Sequence, residues 1–115
     1  MYCPNFFEFY QCDIIPIGPK DRRVLLKHRF TVDADSSHWL IALDGRPSQL
    51  NPLFYNWTVV VYQASAEGFF LLKKGPYYVS ERFENFEEAC ACADKIAQVC
   101  RMDRFAANTA EQQIV

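Results

Sequence analysis

Glycine is scarce in this chain: four of 115 residues are glycine, and each stands alone. A loop that cradles phosphate through its backbone N–H groups needs several glycines at short spacing. The four glycines instead lie at separate candidate turns. The sequence therefore excludes the common glycine-rich nucleotide-binding loops, and we expect no cofactor.

Long apolar runs and a signal sequence are also lacking. No segment approaches the roughly 18 apolar residues that a membrane-spanning helix needs. The N-terminus has no positive region ahead of an apolar run, so no secretory signal is predicted. We expect a cytoplasmic protein that does not engage a membrane, and we interpret residues 1–115 as a single domain.

The five cysteines do not have the pattern of a disulfide framework or a metal site. They are odd in number and cluster towards the two ends of the chain, which favours free thiols in a reducing compartment. Cys90 and Cys92 resemble half of a metal motif, but two residues apart on a helix their side chains diverge by about 200°. We therefore expect no metal ion and interpret Cys90 and Cys100 as small core residues.

Positively and negatively charged residues are nearly equal in number, and the formal net charge is −2. This balance excludes a general attraction of the whole chain to polyanions. The charges are nevertheless segregated into a basic segment, residues 20–29, and an acidic segment, residues 81–94. We interpret the two segments as the solvated faces of a strand and a helix; binding of two different partners is the alternative.

Six segments have the composition of β-strands. The most regular alternation lies in residues 22–32, where every second residue from Val24 to Val32 would face the core. Arg23, Lys27 and Arg29 would then face water. Residues 46–56 contain two prolines and are expected to form a loop. The predicted strands are residues 6–15, 22–32, 38–43, 57–63, 69–73 and 77–80.

One amphipathic helix is predicted from about Phe86. Asn85 is a good N-cap, and Glu88 completes a capping box with it. We therefore predict an α+β fold: an antiparallel meander of five to six strands with one C-terminal helix packed on one face. The weak pattern of residues 103–115 predicts a flexible tail. The stripe at helical spacing consists of Phe86, Ala89, Cys90, Ala93, Ile96, Ala97 and Cys100.

Aromatic residues are unusually frequent, at 16% of the chain. Several occur as doublets in predicted strands, where neighbouring side chains point to opposite faces. At least one of the four aromatic residues 54, 55, 77 and 78 is therefore expected at the surface, beside another exposed apolar residue. Exposed aromatic rings favour binding interfaces. The candidate partner-binding residues are Phe54, Tyr55, Tyr77, Tyr78, Arg46, Arg23, Lys27 and Arg29.

The leading hypothesis is a non-enzymatic protein-binding module, and a second copy of the chain is a further candidate partner. The surplus of aromatic residues and the lack of catalytic motifs motivate it. The small sheet-plus-helix layout, with the helix entry Phe83-x-x-Phe86-Glu87-Glu88-Ala89, resembles accessory proteins of mobile elements, anti-CRISPR proteins among them. The resemblance covers layout only and carries over no site residues. It implies a phage- or plasmid-encoded inhibitor that binds a partner protein.

Two alternatives belong to other classes. An RNA- or single-stranded-DNA-binding domain would use Arg23, Lys27 and Arg29 to hold the backbone and a nearby Tyr or Phe to stack bases. A cysteine-dependent enzyme would pair Cys12 with His28, provided that adjacent strands bring the two together. His28 lies on the apolar side of its predicted strand, where a hydrogen-bonded core histidine is the commoner role.

Overall fold

The computed structural model describes residues 8–51, 54–70 and 74–113. The longest helix has 16 residues, and within these ranges no helix is long and apolar enough to cross a membrane. In chain order the elements are β1 (Glu8–Pro16), α1 (Pro19–Lys27), β2 (His38–Pro47), β3 (Tyr55–Ala64), β4 (Tyr78–Val79), α2 (Phe86–Arg101) and α3 (Phe105–Gln113).

The strands form one antiparallel sheet with the order β1-β2-β3-β4. This confirms the α+β class and the antiparallel sheet, but the described residues contain four strands rather than five to six. β2 and β3 pair over their full length, from His38 opposite Ala64 to Pro47 opposite Tyr55. The predicted strand at residues 69–73 is not formed at residues 69 and 70, and residues 71–73 lie outside the described ranges.

Both faces of the central strands are buried. On one face, alternate residues such as Trp39 and Val59 pack against the helices. On the other face, Leu40, Val60 and Tyr62 form a second apolar cluster with Phe9 and Phe70 packed against it. Strands buried on both faces have continuous apolar sequences rather than alternating ones. This double burial accounts for the nearly continuous apolar sequences of β2 and β3.

The connection after β3 passes over the second face of the sheet. The Phe70 ring stacks on Tyr62, with centroids 4.2 Å apart, and Gly68 lies close to the Ile14 side chain of β1. Gly68 has φ of +87°, a conformation that favours glycine. The Ser65 N–H donates to the Phe69 carbonyl, and the Phe69 N–H donates to the Ser65 hydroxyl; these two hydrogen bonds hold the turn that begins this crossing.

Helix α2 confirms the predicted N-cap and most of the predicted stripe, although Cys90 is only half-buried. The Asn85 side-chain oxygen accepts hydrogen bonds from the backbone N–H groups of Glu87 and Glu88. Phe86, at the start of the stripe, remains 44% exposed, with its ring 4.8 Å from that of Trp57. The buried residues of the stripe are Ala89, Ala93, Ile96, Ala97 and Cys100.

The strand predicted at residues 22–32 is wrong: residues 19–27 form helix α1. Pro19 stands at its first position, where the missing N–H and the fixed φ suit a helix. Asp21 and Leu25, four residues apart, face inward and are fully buried. Leu26, expected in the core, is 52% exposed. The apparent alternation therefore followed from two turns of an amphipathic helix and not from a pleated strand.

The C-terminal segment also differs from the expected flexible tail. Residues 105–113 form helix α3, which packs beside α1. Phe105, Ala106 and Thr109 are buried, and the Thr109 hydroxyl donates to the Phe105 carbonyl at 2.7 Å. The chain therefore has three helices in its described part rather than the single one expected.

Two aspartates cap the N-termini of α1 and α3 reciprocally. Asp103, just before α3, accepts from the backbone N–H groups of Lys20 and Asp21, each at 2.8 Å. Asp21, in the first turn of α1, accepts from the N–H groups of Phe105 at 3.1 Å and Ala106 at 3.0 Å. Each carboxylate thus satisfies otherwise unpaired donors of the other helix and lies at the positive end of its dipole.

The contact requires glycine at the N-cap of α1. Gly18 has no side chain with which to cap the helix, and a Cβ atom at this position would overlap the Asp103 carboxyl group. Because Gly18 has no side chain, it cannot cap α1 itself, and for the same reason the Asp103 side chain can approach closely enough to cap α1 in its place.

Burial raises the pKa of Asp21, and the neighbouring Asp103 carboxylate adds to the rise. Hydrogen bonds from the two α3 N–H groups and from the Trp39 indole, 3.4 Å away, act in the opposite direction. The pKa of Asp21 is therefore higher in the folded chain than in the unfolded chain. Protonated Asp21 contributes stability at low pH, and this contribution is lost as the pH rises through the pKa of the folded state.

Close packing of α2 predicts opposite effects of leucine at two alanines. Ala93 is buried against the sheet, whereas Ala91 is exposed on the outer side. Ala93→Leu should overpack the contact and lower the free energy of unfolding by about 1–3 kcal/mol. Ala91→Leu should be nearly neutral because leucine is a good helix former. Thermal melts of both variants test this, and greater damage at Ala91 would contradict the packing.

The reciprocal caps predict a non-additive double-mutant cycle. Asp103→Ala leaves two N–H groups of α1 without their acceptor and should destabilise the chain by about 1–2 kcal/mol. Gly18→Ala displaces the same carboxylate and should have a similar effect. In the Asp103→Ala background, Gly18→Ala should be almost neutral, because the group that it displaces is gone. Urea unfolding of the four proteins measures the coupling; strict additivity would show that Gly18 acts in another way.

Candidate binding surfaces

The eight predicted partner-binding residues fall in three separate places. Arg46, Phe54 and Tyr55 lie at the end of the sheet where β2 turns into β3. Tyr77 and Tyr78 lie at β4, and Arg23, Lys27 and Arg29 lie on or just after α1. The structure therefore does not bring them together as one patch.

The turn between β2 and β3 presents two exposed apolar side chains; we call its residues 48–51 and 54 the tip loop. Leu50 is 99% exposed and Phe54 is 66% exposed. The backbone is nevertheless hydrogen-bonded: Ser48 donates to the Phe54 carbonyl at 2.8 Å, and Phe54 donates to the Asn51 carbonyl at 3.0 Å. Leu50 and Phe54 are therefore exposed to water on a turn whose described residues are hydrogen-bonded to one another.

A polar groove of about 710 Å³ lies beside the tip loop. Arg46 forms an ion pair with Asp44 at 3.1 Å on one of its walls. Charges of both signs and uncharged polar groups therefore border the two exposed apolar side chains. The polar lining residues include Asp44, Arg46, Asn56, Thr58, Arg82 and Glu84.

The three predicted tyrosines have a different role from Phe54. Tyr55 is half-buried and stacks on Trp57, with ring centroids 5.8 Å apart. Tyr77 packs 5.0 Å from Trp39, and Tyr78 packs 5.6 Å from Phe105. Burial raises the pKa of both Tyr77 and Tyr78. All three rings therefore contribute to packing within the chain.

The basic residues line the exposed face of α1 and its C-terminal end. Arg23 and Lys27 are four residues apart on that face, with the exposed Leu26 beside them. Arg29 follows the helix with φ of +68°. The solvent exposure predicted for the three charges is present, although Arg23 and Lys27 lie on a helix and Arg29 lies just after it, rather than on a strand.

A cleft of about 520 Å³ at the end of α1 escaped the sequence analysis. Its walls combine the rings of Phe30, Phe69 and Phe70 with the cations Arg29 and Lys74. The signal in the sequence is the doublet of phenylalanines followed by lysines, but the composition of residues 69–73 predicts a strand there instead of a binding cleft. We call this feature the basic cleft.

The proposed pair of Cys12 and His28 loses its geometric basis. Cys12 lies in β1, but His28 is the C-cap of α1 and belongs to no strand, so strand pairing does not bring them together. Burial raises the pKa of Cys12, and nearby Cys90 and Asp13 raise it further. Burial raises the pKa of Cys100 to about 12. These environments favour the neutral thiol rather than a nucleophilic thiolate.

Metal-binding side chains are dispersed in the described part of the chain. No group of three or more His, Cys, Asp or Glu side chains there is arranged to hold a metal ion. Cys90 and Cys92 are both half-buried on α2, and burial raises the pKa of Cys92. Cys3 lies outside the described residues.

Comparisons with family models, with curated proteins and with solved structures find no match to this chain. Functional interpretation therefore rests on the surfaces described above.

The environments of the thiols predict very different labelling rates. Cys12 is exposed, whereas Cys100 is buried, with a pKa of about 12. A thiol-reactive probe at neutral pH should modify Cys12 well before Cys100, as read by peptide mass mapping. Unfolding in denaturant should equalise the rates. Fast labelling of Cys100 in the native protein would contradict the packing of α2 on the sheet.

Proposed function

We propose that the chain is a non-enzymatic protein-binding module that holds its partner on the tip loop. The observation that carries the proposal is the 99% exposure of Leu50 beside the 66% exposed Phe54 on a hydrogen-bonded turn. Apolar side chains held in water by a fixed backbone are poised to be buried by a partner.

The energetics of this surface suit a protein partner. Complete burial of a Leu or Phe side chain is worth about 1.5–3 kcal/mol each. The hydrogen bonds that join residues 48, 51 and 54 lower the conformational entropy that must be lost on binding. The adjacent polar groove supports the same proposal, because protein interfaces surround apolar anchors with a hydrogen-bonding rim. The partner surface should therefore offer an apolar pocket flanked by polar groups of both charge signs.

Within this class we propose a phage- or plasmid-encoded inhibitor that acts by covering a surface of its target. The small sheet with a projecting apolar loop supports this version. The position of the gene is a direct test: neighbours from a mobile element are expected, and a chromosomal housekeeping operon would contradict this version without affecting the binding proposal.

The partner is proposed to be a different protein, with a second copy of this chain as the competing outcome. Sedimentation velocity over a range of concentrations separates the two. A monomer at all concentrations supports a different partner. A dimer that dissociates when Leu50 and Phe54 are replaced would identify the tip loop as a self-association surface.

Replacing both exposed side chains should abolish partner binding without unfolding the chain. Immobilised wild-type protein, the Leu50→Asp/Phe54→Asp variant and a Leu26→Asp control are exposed to lysate of the native host. Leu26 is a matched control because it is an exposed apolar residue, 52% accessible, on α1 rather than on the tip loop. Wild type and control should retain one common stoichiometric protein that the double variant loses.

Thermal melts should show that the tip-loop variant changes the free energy of unfolding by less than about 0.5 kcal/mol, because neither side chain is buried. Equal capture by all three proteins, or loss of capture only in the Leu26 control, would overturn the assignment of the tip loop.

A further inference from the structure

The basic cleft combines two kinds of group that the proposed protein-binding surface does not use. Arg29 and Lys74 provide positive charge, and the rings of Phe30, Phe69 and Phe70 provide flat apolar surface. The volume of about 520 Å³ falls in the range of small-ligand sites and exceeds what a single inorganic ion fills. The geometry therefore suits a flat group with an attached negative charge.

The rings of the cleft are held by the fold. Phe30 packs 5.1 Å from Tyr77, which itself packs 5.0 Å from the buried Trp39. Phe69 is 74% exposed, but its N–H donates to the Ser65 hydroxyl at 3.2 Å and its carbonyl accepts from the Ser65 N–H at 2.9 Å. An exposed ring on a fixed backbone is a stacking surface that needs little reorganisation.

Two carboxylates, Asp33 and Asp35, lie near the cleft and offset part of its positive charge. Asp33 accepts hydrogen bonds from Ser36 and from the N–H of Asp35, which together with Lys74 hold its pKa below the usual range. Asp35 is the only acidic group among the lining residues of this cleft. The cations continue along α1, where Lys27 and Arg23 are exposed in its last two turns.

We propose that the basic cleft binds single-stranded nucleic acid, with a base stacked on Phe69 and consecutive phosphates held by Arg29, Lys27 and Arg23. Cations repeated along a track match the regular charge of a phosphate backbone, and an exposed ring beside them matches a base. The combination of a basic track with stacking rings is the general basis of single-strand recognition. An acidic protein segment would use the cations but would leave the exposed ring without an obligatory role.

Fluorescence anisotropy with a labelled oligo-dT strand tests the proposal in the full chain. Binding should be saturable at low salt and should weaken steadily as salt is added, because each phosphate contact releases counterions. Arg23→Ala/Lys27→Ala should reduce the slope of log affinity against log salt by about 1.4, which corresponds to two single-strand phosphate contacts. Phe69→Ala should weaken binding by about 5- to 150-fold with an unchanged salt slope.

Matched controls separate site binding from general electrostatics. Arg82→Ala/Lys95→Ala removes the same amount of positive charge away from the cleft, and Phe54→Ala removes an exposed ring from the tip loop. Both controls should leave the salt slope and the affinity close to wild type. Because Phe54 belongs to the tip loop and Phe69 to the basic cleft, loss of partner-protein binding and loss of oligonucleotide binding are distinguishable.

Three results would overturn the proposal. One is the absence of saturable binding at low salt; a second is equal affinity for wild type and Phe69→Ala, with both melting normally. The third is tight binding of poly-glutamate that oligo-dT does not compete away, which would assign the cleft to an acidic protein segment.

Discussion

The exchange of carboxylates between the first turn of α1 and the start of α3 is the constraint on which the helical layer depends. Each of these helices has nine residues, a length at which an isolated helix is marginal in water. Asp21 and Asp103 satisfy the N-terminal donors of the opposite helix and join segments that are 82–85 residues apart in sequence. The Trp39 indole, hydrogen-bonded to Asp21, connects this joint to the sheet.

The sheet separates the two proposed binding surfaces. The tip loop follows the last residue of β2, whereas the basic cleft includes Ser36, just before β2, and Gln63, near the end of β3. Ten paired residues at about 3.4 Å each place the two surfaces roughly 30 Å apart. Double burial of the central strands makes this spacer stiff, so both surfaces are held at a fixed distance.

Prediction from sequence succeeded where the determinants are local. Helix α2 contains its own N-cap at Asn85 and its own buried stripe, and β3 contains a run of β-branched residues. Helix α1 was not predicted because its buried positions include Asp21, and hydrophobic periodicity places an aspartate on the solvent-exposed face. The burial of Asp21 depends on the N–H groups that α3 donates to it. The N-terminus of α3 is capped in turn by Asp21, which is 84 to 85 residues away in sequence. The basic cleft was not predicted either, because its rings, Phe30 and Phe69, come from segments that are distant in sequence.

The long separation of the two capping residues also bears on the order of events during synthesis. The strands β1, β2 and β3 and the N-cap of α2 are complete in sequence before Asp103 is translated. The N-terminus of α1 has no side-chain cap at Gly18, and its acceptor, Asp103, is translated 82 to 83 residues after the N–H groups that it caps. During synthesis, residues 19–27 can therefore gain this cap only after the three long strands have been translated.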